Sequence, residues 1–482
     1  MSRAAATLAI DQGTTSTRAV RVDADGRAAV IRSLPNPSRH PAPRHVEQDP
    51  ERLVADIRRC LAAADAAGAI EAVGIDNQGE SCLAWDADTG RPLGPVIVWQ
   101  DDRTRERVAR LVADGAEPLV RERAGLPLDA YFSASKLGWI VRELPAARRL
   151  AARGRLRLGT TDAYFRERLT GRLETDVTTA SRTSLMNLAS REWDPELCRL
   201  FGVPIEALPP IGPSAGELGA LDAGGRRVPL RASLVDQQAS LYGHGCREPG
   251  EAKMTFGTGA FASVLSGPTP LADAVGVLPT VAWQLAGREP LYALDGGVHT
   301  AAGALDWAGS LGLWTERAAI DDFDGPSAVE RALVFVPALA GLACPHWDRR
   351  ARGSWMGLTP AHTSADLVRA VLEGVALRMA EVLAAIERHR PLEGPVPIDG
   401  GLTANGYFCR FLADALGREL IVSAEPELTA VGTAALAAEA GGGTVACRRE
   451  GRRVAPGSLT AEAFATFAAA RRAVQAFGEA VG

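Results

Sequence analysis

The stretch Asp11-Gln12-Gly13-Thr14-Thr15-Ser16-Thr17 decides how this chain folds. It follows a short apolar run, Thr7-Leu8-Ala9-Ile10, which predicts a strand that ends at an acidic residue and a glycine turn. Gly13 permits close approach of the main chain, so backbone N–H groups and the hydroxyls of the turn can meet anionic oxygens. The carboxylate of Asp11 can hold a hard cation beside them. The pattern predicts a phosphate-binding turn, although an ordinary hairpin turn with Thr and Ser facing solvent uses the same residues.

A second glycine-threonine turn, Gly257-Thr258-Gly259, lies within the segment 254–265 and repeats the order strand, turn, strand. The first turn continues into a predicted antiparallel meander, with strands at 18–23 and 27–31 around a turn at 24–26. Two such turns could hold one polyphosphate between them. This internal repetition predicts two similar α/β domains that face each other across a cleft.

Length and charge narrow the class of protein. The chain has 482 residues, enough for two domains of roughly 200 to 250 residues, each with its own core. A net charge of -5 and the absence of basic runs argue against a nucleic-acid or anionic-membrane partner. The longest apolar run, 332–344, contains Pro337 and is too short to span a bilayer. The seven cysteines form no CxxC pair, which favours reduced structural thiols, and we expect a soluble cytoplasmic protein.

The lysines exclude two large classes of nucleotide-binding protein. Lys136 and Lys253 are the only lysines in the sequence, and neither follows a glycine. A Walker A loop needs Gly-Lys-Ser/Thr, and the lysine strand and His-Arg-Asp loop of protein kinases are also missing. Any ATP must therefore be held by the glycine-threonine hairpins.

Two further motifs match a chemistry only superficially. The segment 257–262 fits the dinucleotide pattern GxGxxA, but the residues after it predict a strand where that fingerprint needs a helix. Gly212-Pro213-Ser214-Ala215-Gly216 fits a nucleophile elbow, but the prolines around it predict a loop. A nicotinamide oxidoreductase and a serine hydrolase are therefore minor alternatives.

Several blocks along nearly the whole chain resemble the FGGY carbohydrate kinases, most closely those that phosphorylate glycerol. The matching blocks are Asp11–Arg18, Val98–Gln100, Tyr131–Glu143, Ser181–Thr183, Asp236–Gln238, Gly257–Gly259 and the region from Gly353 to Glu373. The resemblance implies an α/β fold of two ribonuclease-H-like domains, of the actin and hexokinase type, around a central cleft. It implies an N-terminal domain at 1–245 and a C-terminal domain at 246–482, joined by a hinge near 243–250.

The resemblance also implies ATP and Mg²⁺ as cofactors and assigns roles to residues that match the family. Asp236 becomes the base that accepts the proton of the acceptor hydroxyl, with a helix N-cap as its alternative role. Asp11 becomes the metal-binding carboxylate. The expected nucleotide-binding residues are Thr14, Thr15, Ser16, Arg18, Thr258, Gly401 and Asn405. For the Gly400-Gly401 pair, which would leave room for a flat purine or ribose, a plain helix N-terminal turn is the alternative.

The implied acceptor pocket combines aromatic rings with acids and an amide, the mixture that a polyol needs. Its expected residues are Gly79, Glu80, Trp99, Tyr131, Asp236, Gln237 and Phe261. Simple core packing is the alternative for Trp99 and Phe261.

Gly79 departs from the family pattern, because the glycerol-phosphorylating members are expected to carry an arginine there. A lost charged hydrogen bond costs about 1.5 to 3 kcal/mol, and the vacated space would admit a larger acceptor. We therefore expect phosphorylation of a primary hydroxyl of a small polyol or sugar, with glycerol converted to glycerol 3-phosphate. The alternative acceptors are erythritol, a pentitol or a ketopentose such as xylulose or ribulose. A homo-oligomer, dimer or tetramer, is expected, and a non-catalytic actin-like ATP switch is the alternative of another class.

Overall fold

The computed structural model describes residues 6–316 and 320–481, which form two large mixed sheets with helices on their faces. The strands of the first half are β1 Ala6–Gln12, β2 Ser16–Val22, β3 Ala28–Pro35, β4 Glu47–Gln48, β5 Ile70–Asn77, β6 Cys82–Asp86, β7 Val96–Ile97, β8 Leu156–Thr160, β9 Thr175–Asp176, β10 Met186–Asn187, β11 Glu192–Trp193, β12 Ile211–Gly212, β13 Ala215–Ala223 and β14 Arg226–Val235. Its helices are α1 Pro50–Ala66, α2 Arg105–Ala113, α3 Glu117–Ala124, α4 Ser133–Glu143, α5 Pro145–Ala151, α6 Thr161–Thr170, α7 Val177–Ala180, α8 Pro195–Phe201 and α9 Asp236–Gly243.

The second half continues the alternation of strands and helices. Its strands are β15 Ala252–Phe256, β16 Ala260–Gly267, β17 Leu278–Trp283, β18 Leu291–Val298, β19 Val334–Val336, β20 Ser354–Met356, β21 Val396–Asp399, β22 Leu420–Ser423 and β23 Gly451–Val454. Its helices are α10 Ala302–Ser310, α11 Ser364–Glu387, α12 Gly406–Leu416, α13 Leu428–Ala440 and α14 Ala461–Val481.

The two large sheets share the topology of their central strands and differ at their edges. The first sheet runs in the order β13-β14-β5-β1-β2-β3, with an antiparallel meander β1-β2-β3 and parallel pairing of β1 with β5 and of β5 with β14. The second runs in the order β17-β18-β16-β15-β21-β22-β23, with β15, β16 and β18 antiparallel and β15, β21 and β22 parallel. The repeated α/β fold predicted from the two turns is therefore confirmed, and each turn joins the first two strands of its meander.

Burial explains why these segments form the sheets. Every residue of β1 is buried, as expected of a central strand covered on both faces. Helix α1 packs its apolar stripe on the first sheet, and the long helix α11 lies in the core of the second half. Among the described residues, no helix is long and apolar enough to cross a membrane.

Helix α13 comes late in the sequence but packs on the first sheet, against β1, β5 and β14, and crosses α9. Glycines make this crossing close: a Cβ at Gly243 would overlap the carbonyl of Leu428, and one at Gly432 would overlap the carbonyl of Ala239. The two halves of the chain therefore meet through backbone contact at the base of the cleft.

Neither the dinucleotide pattern at 257–262 nor the nucleophile-elbow pattern at 212–216 has the local structure that its chemistry needs. The residues after Gly259 form strand β16, so the helix of a dinucleotide fold is absent there. The segment 212–216 joins strands β12 and β13, where a nucleophile elbow needs a strand followed by a helix.

Candidate active site

The first turn brings an acid and a guanidinium together at the end of β1. Asp11 is buried, and Arg18 on β2 contacts its carboxylate. The same guanidinium lies 2.7 Å from Glu427, just before α13, so it links the two halves of the chain. The turn is closed by a hydrogen bond from the Gly13 N–H to the Ser16 carbonyl, and the side chain of Thr15 is exposed. Arg18 is thus an ion-paired bridge beside the turn.

Asp76 is a site residue that the sequence analysis missed. It stands opposite Asp11 in the register of the parallel strands β1 and β5, and it is fully buried. Burial and the neighbouring Asp11 carboxylate raise the pKa of Asp76 well above its ordinary value. Thr433 donates a hydrogen bond to its Oδ2 at 2.6 Å, but Oδ1 has no donor among the described residues. The available signal was an acid at the end of a buried run, as at Asp11.

The Asp11 and Asp76 pair fits a hard cation, because Arg18 contacts only Asp11 of the two and leaves the buried Oδ1 of Asp76 without a partner among the described residues. The described ranges contain no group of three or more acidic, histidine or cysteine side chains that could hold a metal ion. A Mg²⁺ ion here would therefore take its other ligands from water and substrate phosphates, as Mg²⁺ commonly does.

The second turn opens onto a cavity of about 380 Å³ in the C-terminal half. Of the predicted nucleotide-binding residues, Thr258, Gly401 and Asn405 line this cavity, together with Leu305 and Ile320. The carbonyl of Thr258 accepts hydrogen bonds from the N–H of Ala301, just before α10, and from the N–H of Gly303 within α10, which fixes the turn against that helix. A volume of this size suits a nucleoside.

The two glycines at 400 and 401 have different reasons to be glycine. Gly400 has φ of 96°, and a Cβ there would overlap the backbone of Phe256. A Cβ at Gly401 would meet no atom within 4 Å, so this position is open toward the cavity. Gly401 begins a single 3-10 turn at Gly401–Ala404. Asn405 accepts from the N–H of Phe408 at 2.7 Å and donates to the carbonyl of Ile320 at 2.6 Å, so its amide holds the cavity wall.

The predicted acceptor residues lie around one small cavity of about 90 Å³ between the two halves. Its lining includes Gly79, Glu80, Trp99, Tyr131, Asp236, Gln237 and Phe261, and also Thr14, Gln78, Arg182 and Asp295. Trp99 and Tyr131 meet edge to face with ring centroids 5.6 Å apart. The cavity is far below the 300 to 1,000 Å³ typical of sites for drug-sized ligands, so it suits a molecule of only a few heavy atoms.

A ring of hydrogen bonds ties this cavity to the first turn. Trp99 donates from its indole to Thr14 Oγ1 at 2.9 Å, and Gln48 donates to the Thr14 carbonyl at 2.7 Å. Gln78 donates to Gln48 at 3.0 Å, Ser81 donates to Gln78 at 3.0 Å, and the N–H of Trp99 donates to Ser81 at 3.0 Å. Acceptor wall and phosphate turn are therefore positioned as one unit.

Asp236 is the first residue of α9, and Val235 holds the cap position, so the N-cap role expected as an alternative is not the one adopted. Its carboxylate accepts the N–H of Gln237 at 2.7 Å and lines the acceptor cavity. Burial raises the pKa of Asp236 to about 7, with Glu80 and Asp11 acting in the same direction and the Lys253 ammonium against them. A carboxylate with a pKa near neutrality can both accept and release a proton.

Lys253 and Arg182 are further residues that sequence reasoning left without a role. Lys253 is buried on β15 and donates to Gln237 Oε1 at 2.6 Å, which orients that amide. Arg182 donates from Nε to Glu80 at 2.7 Å. The sequence block 181–183 marked the neighbourhood of Arg182 but gave no contact.

The space expected beside Gly79 is not vacant. A Cβ at Gly79 would lie 3.0 Å from Val235 Cγ1 and 3.4 Å from Arg182 Cγ. The side chains of Val235 and Arg182 therefore take up the space directly beside Gly79, and the admission of a larger acceptor there stays a prediction.

Comparison with known proteins gives the family. The model of the FGGY family of carbohydrate kinases matches residues 6–243 with its N-terminal domain and 252–441 with its C-terminal domain. The glycerol kinase of Rhodospirillum centenum is 41% identical over 445 residues, which cover 90% of this chain and 89% of that protein. The glycerol kinase of Thermus brockianus is 40% identical over 484 residues, 97% of each chain.

Solved structures agree with the sequence comparison. The crystal structure of Plasmodium falciparum glycerol kinase with ADP superposes with a TM-score of 0.88 at 26% identity and covers 98% of both chains. The xylulose kinase from Rhodospirillum rubrum superposes with a TM-score of 0.82 at 25% identity, covering 98% of this chain and 99% of that one. The fold and the cleft define an ATP-dependent carbohydrate kinase built from two α/β halves. The chain belongs to the FGGY family of carbohydrate kinases, and the resemblance noted in its motifs is confirmed.

Proposed function

We propose that the protein transfers the terminal phosphoryl group of ATP to a primary hydroxyl of glycerol, giving glycerol 3-phosphate and ADP. The carrying observation is the small cavity around Asp236, where aromatic rings face an amide and carboxylates. Relatives named glycerol kinase at about 40% identity over about 90% of the chain support the same acceptor.

The chemistry proposed for the cleft needs a base and positioned phosphates, without a covalent enzyme intermediate. Asp236 accepts the proton of the attacking hydroxyl as its oxygen bonds to the terminal phosphorus, and the bond from that phosphorus to ADP breaks. Glu80 and Gln237 grip the other hydroxyls, while Trp99, Tyr131 and Phe261 cover the carbon chain.

The nucleotide is proposed to lie between the two turns. Thr14, Thr15 and Ser16 of the first turn and Thr258 of the second face the phosphates, and Gly401 leaves room for the adenosine in the larger cavity. A magnesium ion, when bound, would offset the negative charge of the phosphates. Asp11, with Asp76 behind it, would hold the ion. Arg18 remains the link from Asp11 to Glu427 that couples the turn to the other half.

We further propose the division into domains at 1–245 and 246–482, which is supported by one large sheet on each side of it. A reducing, cytoplasmic location is supported by cysteines that are all free, six of them buried. A dimer or tetramer stays a prediction from the sequence.

A coupled ADP-release screen over glycerol, erythritol, pentitols and ketopentoses tests the proposal. We expect the highest kcat/KM for glycerol, because the cavity is small. A higher kcat/KM for a pentitol or for xylulose would contradict the proposal and favour the alternative acceptors. The xylulose kinase among the structural neighbours is the reason to include them.

A further inference from the structure

Arg182 contributes a buried, charged side chain to the lining of the acceptor cavity. It follows the short helix α7, it is buried, and it lines the cavity together with Glu80 and Asp236. It also lines a smaller adjoining cavity that contains Trp347 and His299. Arg182 therefore lies between the acceptor cavity and this smaller cavity.

Two carboxylates and two rings fix the position of this guanidinium. Glu80, from the first half of the chain, accepts from Nε at 2.7 Å, and Asp295, on β18 of the second half, lies 3.2 Å from Nη1. The rings of Tyr131 and Phe132 each lie with their centroids 5.8 Å from the guanidinium carbon. A guanidinium fork held in this way is pre-organised. It can therefore donate a hydrogen bond to a hydroxyl of the acceptor with little further loss of side-chain conformational freedom.

One donor of the fork is unused. Although Asp295 is close, Nη1 has no hydrogen-bond acceptor in bonding geometry among residues 6–316 and 320–481. Asp295 pairs with the charge of Nη1 but does not accept a hydrogen bond from it, and a ligand oxygen in the cavity would supply that missing acceptor.

The same side chain occupies the space next to Gly79. A Cβ placed at Gly79 would lie 3.4 Å from Arg182 Cγ, so position 79 and Arg182 are neighbours in the wall of the cavity. In this chain the guanidinium of Arg182 is present beside position 79, whereas the guanidinium expected at 79 itself is absent.

We propose that Arg182 determines acceptor specificity by donating from Nη1 to a hydroxyl of the acceptor other than the one phosphorylated, in place of the guanidinium absent at Gly79. The inference rests on the proposed polyol kinase function. It adds the residue that binds the acceptor hydroxyl that is not phosphorylated. Glu80 and Asp295 serve to hold the fork and neutralise it.

The test uses substrates that lack one hydroxyl. kcat and KM are measured for glycerol, 1,2-propanediol and 1,3-propanediol at saturating ATP, in the wild type and in Arg182→Lys, which keeps the charge but loses the fork. We expect the glycerol KM to rise at least about tenfold and the preference for glycerol over at least one diol to fall about tenfold, the scale of one charged hydrogen bond. The KM for ATP should stay within threefold.

Arg166→Lys is the matched control. Arg166 is an equally buried arginine on α6, and it pairs with Glu174 away from both cavities. Its replacement should leave the preference for glycerol over both diols unchanged.

A double variant, Gly79→Arg with Arg182→Ala, moves the guanidinium to the family position. We expect it to regain part of the glycerol preference that Arg182→Ala loses. If Arg182→Lys lowers activity on glycerol and on both diols equally, Arg182 is structural and the proposal is overturned. If the double variant prefers glycerol no more than Arg182→Ala does, the claim that Arg182 acts in place of the guanidinium absent at Gly79 is overturned. If the wild type does not use glycerol, the proposed function fails separately, and the same comparison is made with the acceptor it does use and its monodeoxy analogues.

Discussion

Replacing Lys253 by methionine should raise the pH at which the enzyme becomes active. The ammonium of Lys253 favours the ionised form of Asp236, whereas burial, Glu80 and Asp11 favour the protonated form and raise its pKa to about 7. A base must be ionised to accept a proton, so kcat/KM for the acceptor rises with pH through this midpoint. Without the ammonium, the pKa of Asp236 rises further and the activity profile moves to higher pH.

The magnitude follows from the fraction of Asp236 that is ionised. With a midpoint of about 7, about one carboxylate in ten is ionised at pH 6, so kcat/KM there should be roughly a tenth of its plateau. Below the midpoint, each further rise of one pH unit in the pKa lowers kcat/KM about tenfold. Lys253→Met should therefore be strongly impaired at pH 6 to 7 and recover toward the wild-type plateau at higher pH.

The assay is kcat/KM for the acceptor from pH 5.5 to 9, at fixed free Mg²⁺ and with the folded state checked by thermal unfolding. Lys136→Met is the matched control, because Lys136 is an equally buried lysine that donates to the carbonyls of Tyr131 and Trp99 and is not among the main groups that shift the pKa of Asp236. Terminal phosphates also titrate near pH 6, but this ionisation is common to all variants.

Asp236→Asn should lose at least about 100-fold in kcat while still binding ATP. An unchanged midpoint in Lys253→Met would refute the role of its charge, and a flat wild-type profile would refute Asp236 as the base.

Three other outcomes are expected. Gly432→Ala should lower the free energy of unfolding by about 1 to 3 kcal/mol in denaturant titrations, because the new methyl overlaps Ala239, whereas Gly94→Ala, with its nearest neighbour 3.8 Å away, should be nearly neutral. Asp11→Asn should raise the Mg²⁺ concentration for half-maximal activity several-fold, and an unaltered Mg²⁺ requirement would remove Asp11 from the metal site. Acceptor plus a nucleotide analogue should reduce the radius of gyration in small-angle scattering, and no reduction would mean that the segment 243–250 is not a working hinge.

Local patterns were enough to predict the repeated fold. The order of acid, glycine and hydroxyl residues after an apolar run identified the turn after β1, and the second turn at 257–259 revealed the repetition. The strand pattern after Gly259 also argued against the dinucleotide fingerprint, and strand β16 confirms it. Each of these features depends on neighbours within about ten residues, where turn chemistry and alternation carry the information. The motif resemblance then added the family.

Contacts between distant segments could not be predicted in the same way. Asp76 becomes a partner of Asp11 only because β1 and β5 pair in register, and its hydrogen-bond donor, Thr433, belongs to a helix near the other end of the chain. That helix packs on the first sheet through glycine contacts that no local pattern indicates. Such partners are fixed by the packing of whole elements, which depends on all their side chains at once.

Position 79 shows most clearly the difference between what the sequence determined and what only the tertiary structure decided. The sequence by itself determined that an arginine is missing there, and also the strand-turn-strand repeats, the candidate base Asp236 and the kinase class. Only the tertiary structure decided what fills the space, since Val235 and Arg182 approach Gly79 from segments more than 100 residues further along the chain. The physical reason is that side-chain identity follows from sequence, whereas the volume and charge around a position are set by neighbours that the folded packing brings to it.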